Sequence, residues 1–331
     1  MGLIKRLFGS LLLLVFLLLG ASVYYVTRPL DISVLPMDFS LQQGSSLKSA
    51  AYQLKQAGVL DDAQVFVLLG RSMGLSAQIK YGSYQLTKPV SMYELLEIIS
   101  KGRVAHSELT IIEGWTFKQF RAAMNSAPKL RHDSQSLSDE EIMQRIGAAE
   151  KHAEGLFFPD TYNFPAGSSD LALIKRAYQT MQKHLQANWE TRDADLPLQT
   201  PYQALILASI VEKETGQAKD RTMIASVFVN RLRKGMRLQT DPTVIYGIGD
   251  KYDGNIRKND LLKDNEYNTY TRYGLTPTPI ALPGKDSLHA ALHPASSSAL
   301  YFVARGDGSS QFSSTLSEHN QAVNRYQLKI K

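Results

Sequence analysis

No cysteine occurs anywhere in the 331-residue chain. That absence removes thiol nucleophiles, redox pairs, iron–sulfur clusters and every cysteine-based zinc site, and it suits a compartment that oxidises free thiols. Any chemistry falls to oxygen and nitrogen groups. Basic blocks are also lacking: 37 Lys and Arg against 31 Asp and Glu leave +6, spread along the chain, so no nucleic-acid partner is expected. No Gly-x-x-x-x-Gly-Lys run occurs, and Gly247, Gly249 and Gly254 do not match a dinucleotide fingerprint, so no cofactor is expected. The histidines form no His-Glu-x-x-His pair; His293 reads as a structural hydrogen-bonding residue, and no metal is expected. There is no Gly-x-Ser-x-Gly elbow. Ser45-Ser46-Leu47-Lys48 has the Ser-x-x-Lys spacing without the partner motifs of a serine acyl-enzyme, and Ser45 or Ser46 reads as a helix N-cap.

What the chain does have begins at its N-terminus. Leu7 to Val26 is 20 residues dominated by Leu, Val and Phe, with no charge between Arg6 and Arg28. That is the length needed to span about 30 Å of hydrocarbon. Lys5 and Arg6 on its short side keep that end cytoplasmic by the positive-inside rule and export everything after it. A cleaved signal peptide with an apolar core of Leu11 to Leu19 is the alternative, but the apolar run continues for the length of a span. The expectation is a single-pass inner (cytoplasmic) membrane protein whose bulk is periplasmic or otherwise extracytoplasmic.

At roughly 150 residues per domain the length predicts about two folded units. Thr27 to Asp38, with Pro29 and Pro36 and no period, reads as an extended tether. Ser46 to Ala57 and Asp62 to Met73 each carry an apolar face and end at a glycine, Tyr84 to Leu86 reads as a strand, Ser91 to Ser100 as a capped helix, and Leu109 to Ile112 as a strand. Together these make a small α+β module. Ser126 to Asp139 is polar and reads as a loop or lid; Asp170 to Trp189 is a helix with a stripe at Leu171, Ile174, Tyr178, Met181 and Leu185. Gly235 to Pro294 suggests short strands and ordered loops.

Thr200-Pro201-Tyr202-Gln203 is a capping box with Pro at the first helical position, and the helix interior from Ala204 to Val211 is almost wholly apolar. The chain then switches to Glu212-Lys213-Glu214-Thr215-Gly216. At 3.6 residues per turn Glu214 continues the stripe of Leu207, Ile210 and Val211, whereas Glu212 falls behind Leu205, Ala208 and Ser209. A carboxyl leaving a core at the negative end of a helix dipole is pushed toward its protonated form, which suits a general acid. Spacing alone equally allows a solvated last turn with both acids in water.

The run Leu207 to Thr215 resembles the signature of the YceG-like family, the endolytic murein transglycosylases. Ala225 to Leu232, Met236 to Gly247, Tyr267 to Tyr270, Ala291 to Ala295, Glu154 to Tyr162 and Glu113 to Thr116 are also similar to that family, so the resemblance covers essentially the whole chain. It implies a single N-terminal transmembrane helix, a small LysM-like α+β module and a larger α+β catalytic domain. The corresponding division is a tail at 1–6, a span at 7–26, a tether at 27–37, a LysM-like module at 38–105 and the catalytic domain at 106–331. The family's catalytic glutamate corresponds to Glu214. Gln239, Asp241, Asn268 and Tyr270 match polar positions expected around a cleft, and Asp160, Thr161 and Tyr162 match an aromatic-acidic loop. Asp241-Pro242 equally suits the start of a helix, and Phe157 and Phe158 suit ordinary core.

The resemblance implies a lytic transglycosylase that cuts the bond between N-acetylmuramic acid and N-acetylglucosamine without water, leaving 1,6-anhydro ends and ending glycan elongation. Its implied partners are peptidoglycan strands and membrane-bound synthases of the penicillin-binding type. A membrane-anchored, non-catalytic scaffold that binds peptidoglycan for synthases is the other class of function compatible with the same modules.

Overall fold

The computed structural model describes residues 2–32, 35–42, 44–102, 106–148, 152–214 and 217–328. Its first elements are α1 (Gly2–Thr27), β1 (Met37–Leu41), α2 (Leu47–Gln56), α3 (Ala63–Ser72), β2 (Gly82–Leu86), α4 (Met92–Lys101) and β3 (His106–Thr110). Next come α5 (Phe117–Asn125), β4 (Leu130–Arg131), α6 (Asp139–Ile146), β5 (Thr161–Pro165), β6 (Ser168–Ser169), α7 (Asp170–Glu190), α8 (Pro201–Glu214) and α9 (Ala218–Arg233). The chain ends through α10 (Asp241–Ile248), α11 (Lys258–Leu262), α12 (Lys285–Leu292), β7 (Tyr301–Ala304), β8 (Ser310–Ser313) and α13 (Leu316–Val323). The architecture is α+β, as the sequence implied. Two compact units divide it: Met1–Glu108 with Lys129–Arg131 and Asn163–Ser168, and Leu109–Pro128 with His132–Tyr162 and Ser169–Lys331.

In the first unit α1 is one continuous helix, and Phe8–Thr27 is long and apolar enough to cross a membrane, with its large side chains exposed. After it the chain differs from the expected tether. Leu30 is buried and donates its N–H to the Val90 carbonyl at 2.9 Å, and a strand forms at Met37–Leu41 that the sequence reading did not contain. Ser33 and Val34 lie outside the described residues. β1 runs antiparallel to β2 with Phe39 opposite Tyr84, their rings stacked at 5.2 Å. The helices pack Ala50, Ala51, Leu54, Phe66, Leu95, Leu96 and Ile99 beneath this ladder without exposure. Ser46 caps α2, Asp62 caps α3, and Ser91 with Glu94 forms a reciprocal capping box on α4.

The second unit is organised around α8. Every residue from Ala204 to Val211 is buried, as an all-apolar helix requires, and α7, α9, α10 and α12 pack around it. Ser209, the polar exception, donates to the Ile206 carbonyl at 2.7 Å and accepts the Ile280 N–H at 3.0 Å, so a buried hydroxyl is satisfied while a loop is fixed. The helix start differs slightly from a reciprocal box: Thr200 accepts from Gln203 N–H, but the Gln203 side chain takes the N–H of Gln199.

Other departures concern long-range packing. The strand near Leu109 lies three residues earlier, at His106–Thr110. α7 buries Leu173 and Ala177 with Ile174, Met181 and Leu185, leaving Leu171 and Tyr178 half-buried. Asp170 is fully buried and accepts the Ser134 N–H and hydroxyl, which pins the polar segment read as a loop or lid. Among the described residues, 235–294 contains helices and ordered loops but no strand. Phe157 is core, stacked on Phe117 at 4.9 Å with Phe120 beside it.

Gly155 is required by two independent constraints. Its φ is +80°, a left-handed conformation, and an added Cβ would lie 2.3 Å from the Pro279 Cβ. Gly155→Ala is expected to lower stability by about 2–4 kcal/mol through backbone strain and overpacking, read as a reduced thermal-unfolding midpoint of the full chain in detergent. An unchanged midpoint would contradict this placement.

Candidate active site

α8 is apolar until its last turn, so its end projects carboxyls from the core edge. The two acids diverge, as the helical count predicted. Glu212 turns away: its side chain is 7% exposed, accepts the Gly284 N–H at 2.9 Å and lies 3.9 Å from the Arg221 guanidinium. Glu214 instead lines a cavity of about 590 Å³ whose wall is shared by the loop before α10, by Tyr270, and by β7 and α13. Thr215 and Gly216 lie outside the described residues.

The Glu214 carboxyl is half-buried, and the Thr240 hydroxyl donates to its Oε1. Burial pushes its pKa up to about 7; the Thr240 bond opposes that shift and the nearby negative charge of Asp241 adds to it. Thr240 is itself fixed, because its N–H meets the Thr269 hydroxyl at 3.1 Å and its carbonyl accepts from Thr243 at 2.8 Å. Asp241 is the first residue of α10, with Thr240 as the N-cap, and its Oδ1 accepts the Tyr270 hydroxyl at 2.6 Å. Burial and that carboxylate raise the Tyr270 phenol, so it stays protonated as the donor. Gln239 adopts φ +50°, among the described residues the one non-glycine in the left-handed region. Its N–H bonds the Thr269 carbonyl at 3.1 Å and its Oε1 accepts from Arg231 at 3.2 Å. Strain of this kind persists where surrounding bonds over-determine it.

The structure therefore brings Glu214, Gln239, Asp241 and Tyr270 to one cavity. It does not bring Asn268 there. That side chain is fully buried: its amide donates to the carbonyls of Asp260, Leu261 and Lys263, and its Oδ1 receives the Tyr270 N–H at 2.8 Å. Asn268 thus holds the loop carrying Tyr270 in place of the cleft contact expected for it. Asp160, Thr161 and Tyr162 also lie outside the cavity lining. Thr161 meets Thr110 at 2.9 Å, the Asp160 carbonyl accepts from Ile111, and buried Tyr162 donates to the Phe158 carbonyl at 2.8 Å. These are bonds of a β-ladder and its flank.

Sequence reasoning missed Thr240, Arg231, Tyr301 and His319 as cavity residues. Thr240 stood between two residues that were selected, and Arg231 within a matched run. The segment 301–327 carried no motif, and only its return to α9 places it here. Glu154 was also missed: it is buried, accepts from Phe117 N–H at 3.0 Å and Tyr246 hydroxyl at 3.1 Å, and burial pushes it up to about 7.

Because Glu214 titrates near 7 when folded but near 4.5 when free, the folded state binds more protons in that window, and stability falls as pH rises through it. Glu214→Gln removes this term. The variant is expected to gain stability over wild type progressively between pH 5 and pH 8, by thermal unfolding; a difference independent of pH would contradict the burial of this carboxyl.

The sequence model of the YceG-like family matches residues 39–325. An endolytic murein transglycosylase of Bacillus subtilis (strain 168) is 33% identical, over 88% of this chain and 84% of the relative. One from Streptococcus pneumoniae serotype 2 (strain D39 / NCTC 7466) is 28% identical over 94% of this chain, which spans 63% of that longer relative. A crystal structure of a yceG-like protein from Listeria monocytogenes superposes with a TM-score of 0.54 at 30% identity, covering 86% of this chain and 97% of that one. With a family match over most of its length and a relative above 30% identity, this chain belongs to the YceG-like family.

Proposed function

We propose that this protein is an endolytic murein transglycosylase, cutting the N-acetylmuramic acid to N-acetylglucosamine bond of peptidoglycan and leaving 1,6-anhydro ends. Relatives named for that activity support the enzymatic reading, and a non-catalytic scaffold is not favoured. The observation that carries the mechanism is the Glu214 carboxyl, set at the end of an apolar helix in a 590 Å³ cavity and held near neutrality in its protonation.

Glu214 acts as general acid, giving its proton to the glycosidic oxygen as the bond to C1 breaks. The carboxylate so formed accepts the proton of the muramyl C6 hydroxyl while that oxygen bonds to C1. No water is consumed and the acid is regenerated. Thr240 serves both half-reactions, since its hydroxyl donates to the carboxyl oxygen and stabilises the charged form when it appears. The Asp241 carboxylate, aligned by Tyr270, supplies negative charge beside the developing oxocarbenium ion. Gln239 is proposed to orient the strand through its backbone, its side chain being bonded to Arg231.

The remaining roles follow from position. α1 is read as the anchor, with Lys5 and Arg6 keeping its short side cytoplasmic. The catalytic unit then meets strands outside the cytoplasmic membrane, near the synthases that extrude them and whose elongation it ends. Residues 38–105 are read as a LysM-like sugar-binding module, supported by the strand–helix–helix–strand order of β1, α2, α3 and β2.

Mass spectrometry of products from uncross-linked strands incubated with the full chain in detergent tests the reaction. Anhydro-terminated internal fragments are expected from wild type, with kcat/KM falling as pH rises through about 7 as the acid is lost. Glu214→Gln is expected to lower kcat by roughly 10²–10⁴ with the fold intact. Reducing ends would make water the acceptor and point to Asp241 as a second carboxylate, and cleavage undiminished in the variant would remove Glu214 from the mechanism.

A further inference from the structure

The wall of the Glu214 cavity formed by α9, β7 and α13 carries a charge that no carboxylate among the described residues pairs. Arg231 is 8% exposed, and among the described residues its guanidinium meets no carboxylate. Its Nε donates to the Leu300 carbonyl at 2.7 Å, and Nη1 donates to the carbonyls of Arg237 and Leu238 and to Gln239 Oε1. Nη2 has no partner among the described residues. A buried cation without a counter-ion is costly, and an anionic ligand would offset that cost. Of the two acids in the cavity lining, Asp241 accepts from Tyr270 and Glu214 from Thr240.

Two more donors stand beside it. His319 stacks on the Tyr301 ring at 5.2 Å, and the Arg231 Cζ lies 5.1 Å from the centre of that ring. The His319 Nδ1 is buried with no hydrogen-bond partner among the described residues. With Nδ1 out of reach, Nε2 is the ring nitrogen open to a ligand, and it donates in the tautomer that carries its proton there. Burial first, and the Arg231 charge second, hold His319 below its ordinary pKa, which keeps Arg231 as the full charge on this wall. The Tyr301 hydroxyl makes no hydrogen bond among the described residues.

Resting on the transglycosylase reading above, we propose that Arg231, His319 and Tyr301 form a carboxylate-binding subsite that takes a free carboxylate of the peptide stem borne by the glycan strand. The hexosamine rings offer hydroxyls and acetamides, which are neutral. The anionic groups of a muropeptide lie on its stem, and a guanidinium recognises a carboxylate with charge-assisted, directional bonds. The cavity thus reads the stem while Glu214 cuts the sugar backbone, so stems whose carboxylates are free are preferred over stems in which they are blocked.

The test compares two ligands on the full chain carrying Glu214→Gln, in detergent: uncross-linked strands, and the same strands with stem carboxylates converted to primary amides. Calorimetric titration is expected to give a Kd at least about 10-fold weaker for the amidated strands. Adding Arg231→Gln should bring the ratio of the two affinities to about 1, whatever its effect on both. Equal affinities for the two strands overturn the subsite without reliance on any Arg231 variant, which matters because Arg231 also braces residues 237–239. Discrimination that survives Arg231→Gln in a folded protein overturns it too, since the anion is then read elsewhere. Parallel incubation of wild type separates the two readings. Cleavage with equal affinities keeps the enzyme and removes the subsite; discrimination without cleavage keeps the subsite and removes the enzyme.

Discussion

Burial of α8 on all sides is the constraint from which the rest of the catalytic unit follows. A helix with no polar face has to be surrounded, and α7, α9, α10 and α12 supply that surround. Once the middle of the helix is fixed, its last turn has no freedom to rotate, and each residue there points where the helical period sends it. Glu212 is delivered to Arg221 and the Gly284 N–H, Glu214 to the cavity. The same packing that defines the core therefore aims one carboxyl at a space large enough for a substrate and keeps a second, two residues away, out of it.

That arrangement sets opposing forces on Glu214. Partial loss of water favours the protonated acid, and the Thr240 hydroxyl favours the carboxylate. A group required to give and then recover a proton benefits from both, since neither form is strongly trapped. Glu154 is a second acid raised to about 7, yet it is spent on structure: it joins the first turn of α5, through Phe117 N–H, to Tyr246 of α10. Because α10 begins at Asp241, this buried bond helps to hold the cavity's second carboxylate in position.

Local periodicity was legible in the sequence, and closure was not. Ser46, Asp62 and Ser91 were readable as helix starts because a cap and the face behind it lie within a few residues. Glu214 was readable for the same reason, its direction being set by three residues of its own helix. β1 was hidden because its partner β2 lies more than forty residues on and its own sequence is short and prolyl-flanked. The wall of Arg231, Tyr301 and His319 depends on β7 and α13 returning to α9, which no local pattern encodes. Asn268, expected around the cleft because it matches a polar family position, instead satisfies with its amide the carbonyls of Asp260, Leu261 and Lys263, a partnership that no local pattern announces.

The central claim is that burial at the end of α8 holds the Glu214 carboxyl near neutrality in its protonation. Carbon-13 resonances of glutamate side-chain carboxyls, recorded on the full chain in detergent from pH 5 to pH 9 for wild type and Glu214→Gln, measure it directly. The account predicts a resonance absent from the variant that titrates near 7, distinct from the one that Glu154 contributes to both proteins. A Glu214 resonance titrating near the ordinary 4.5 would contradict it.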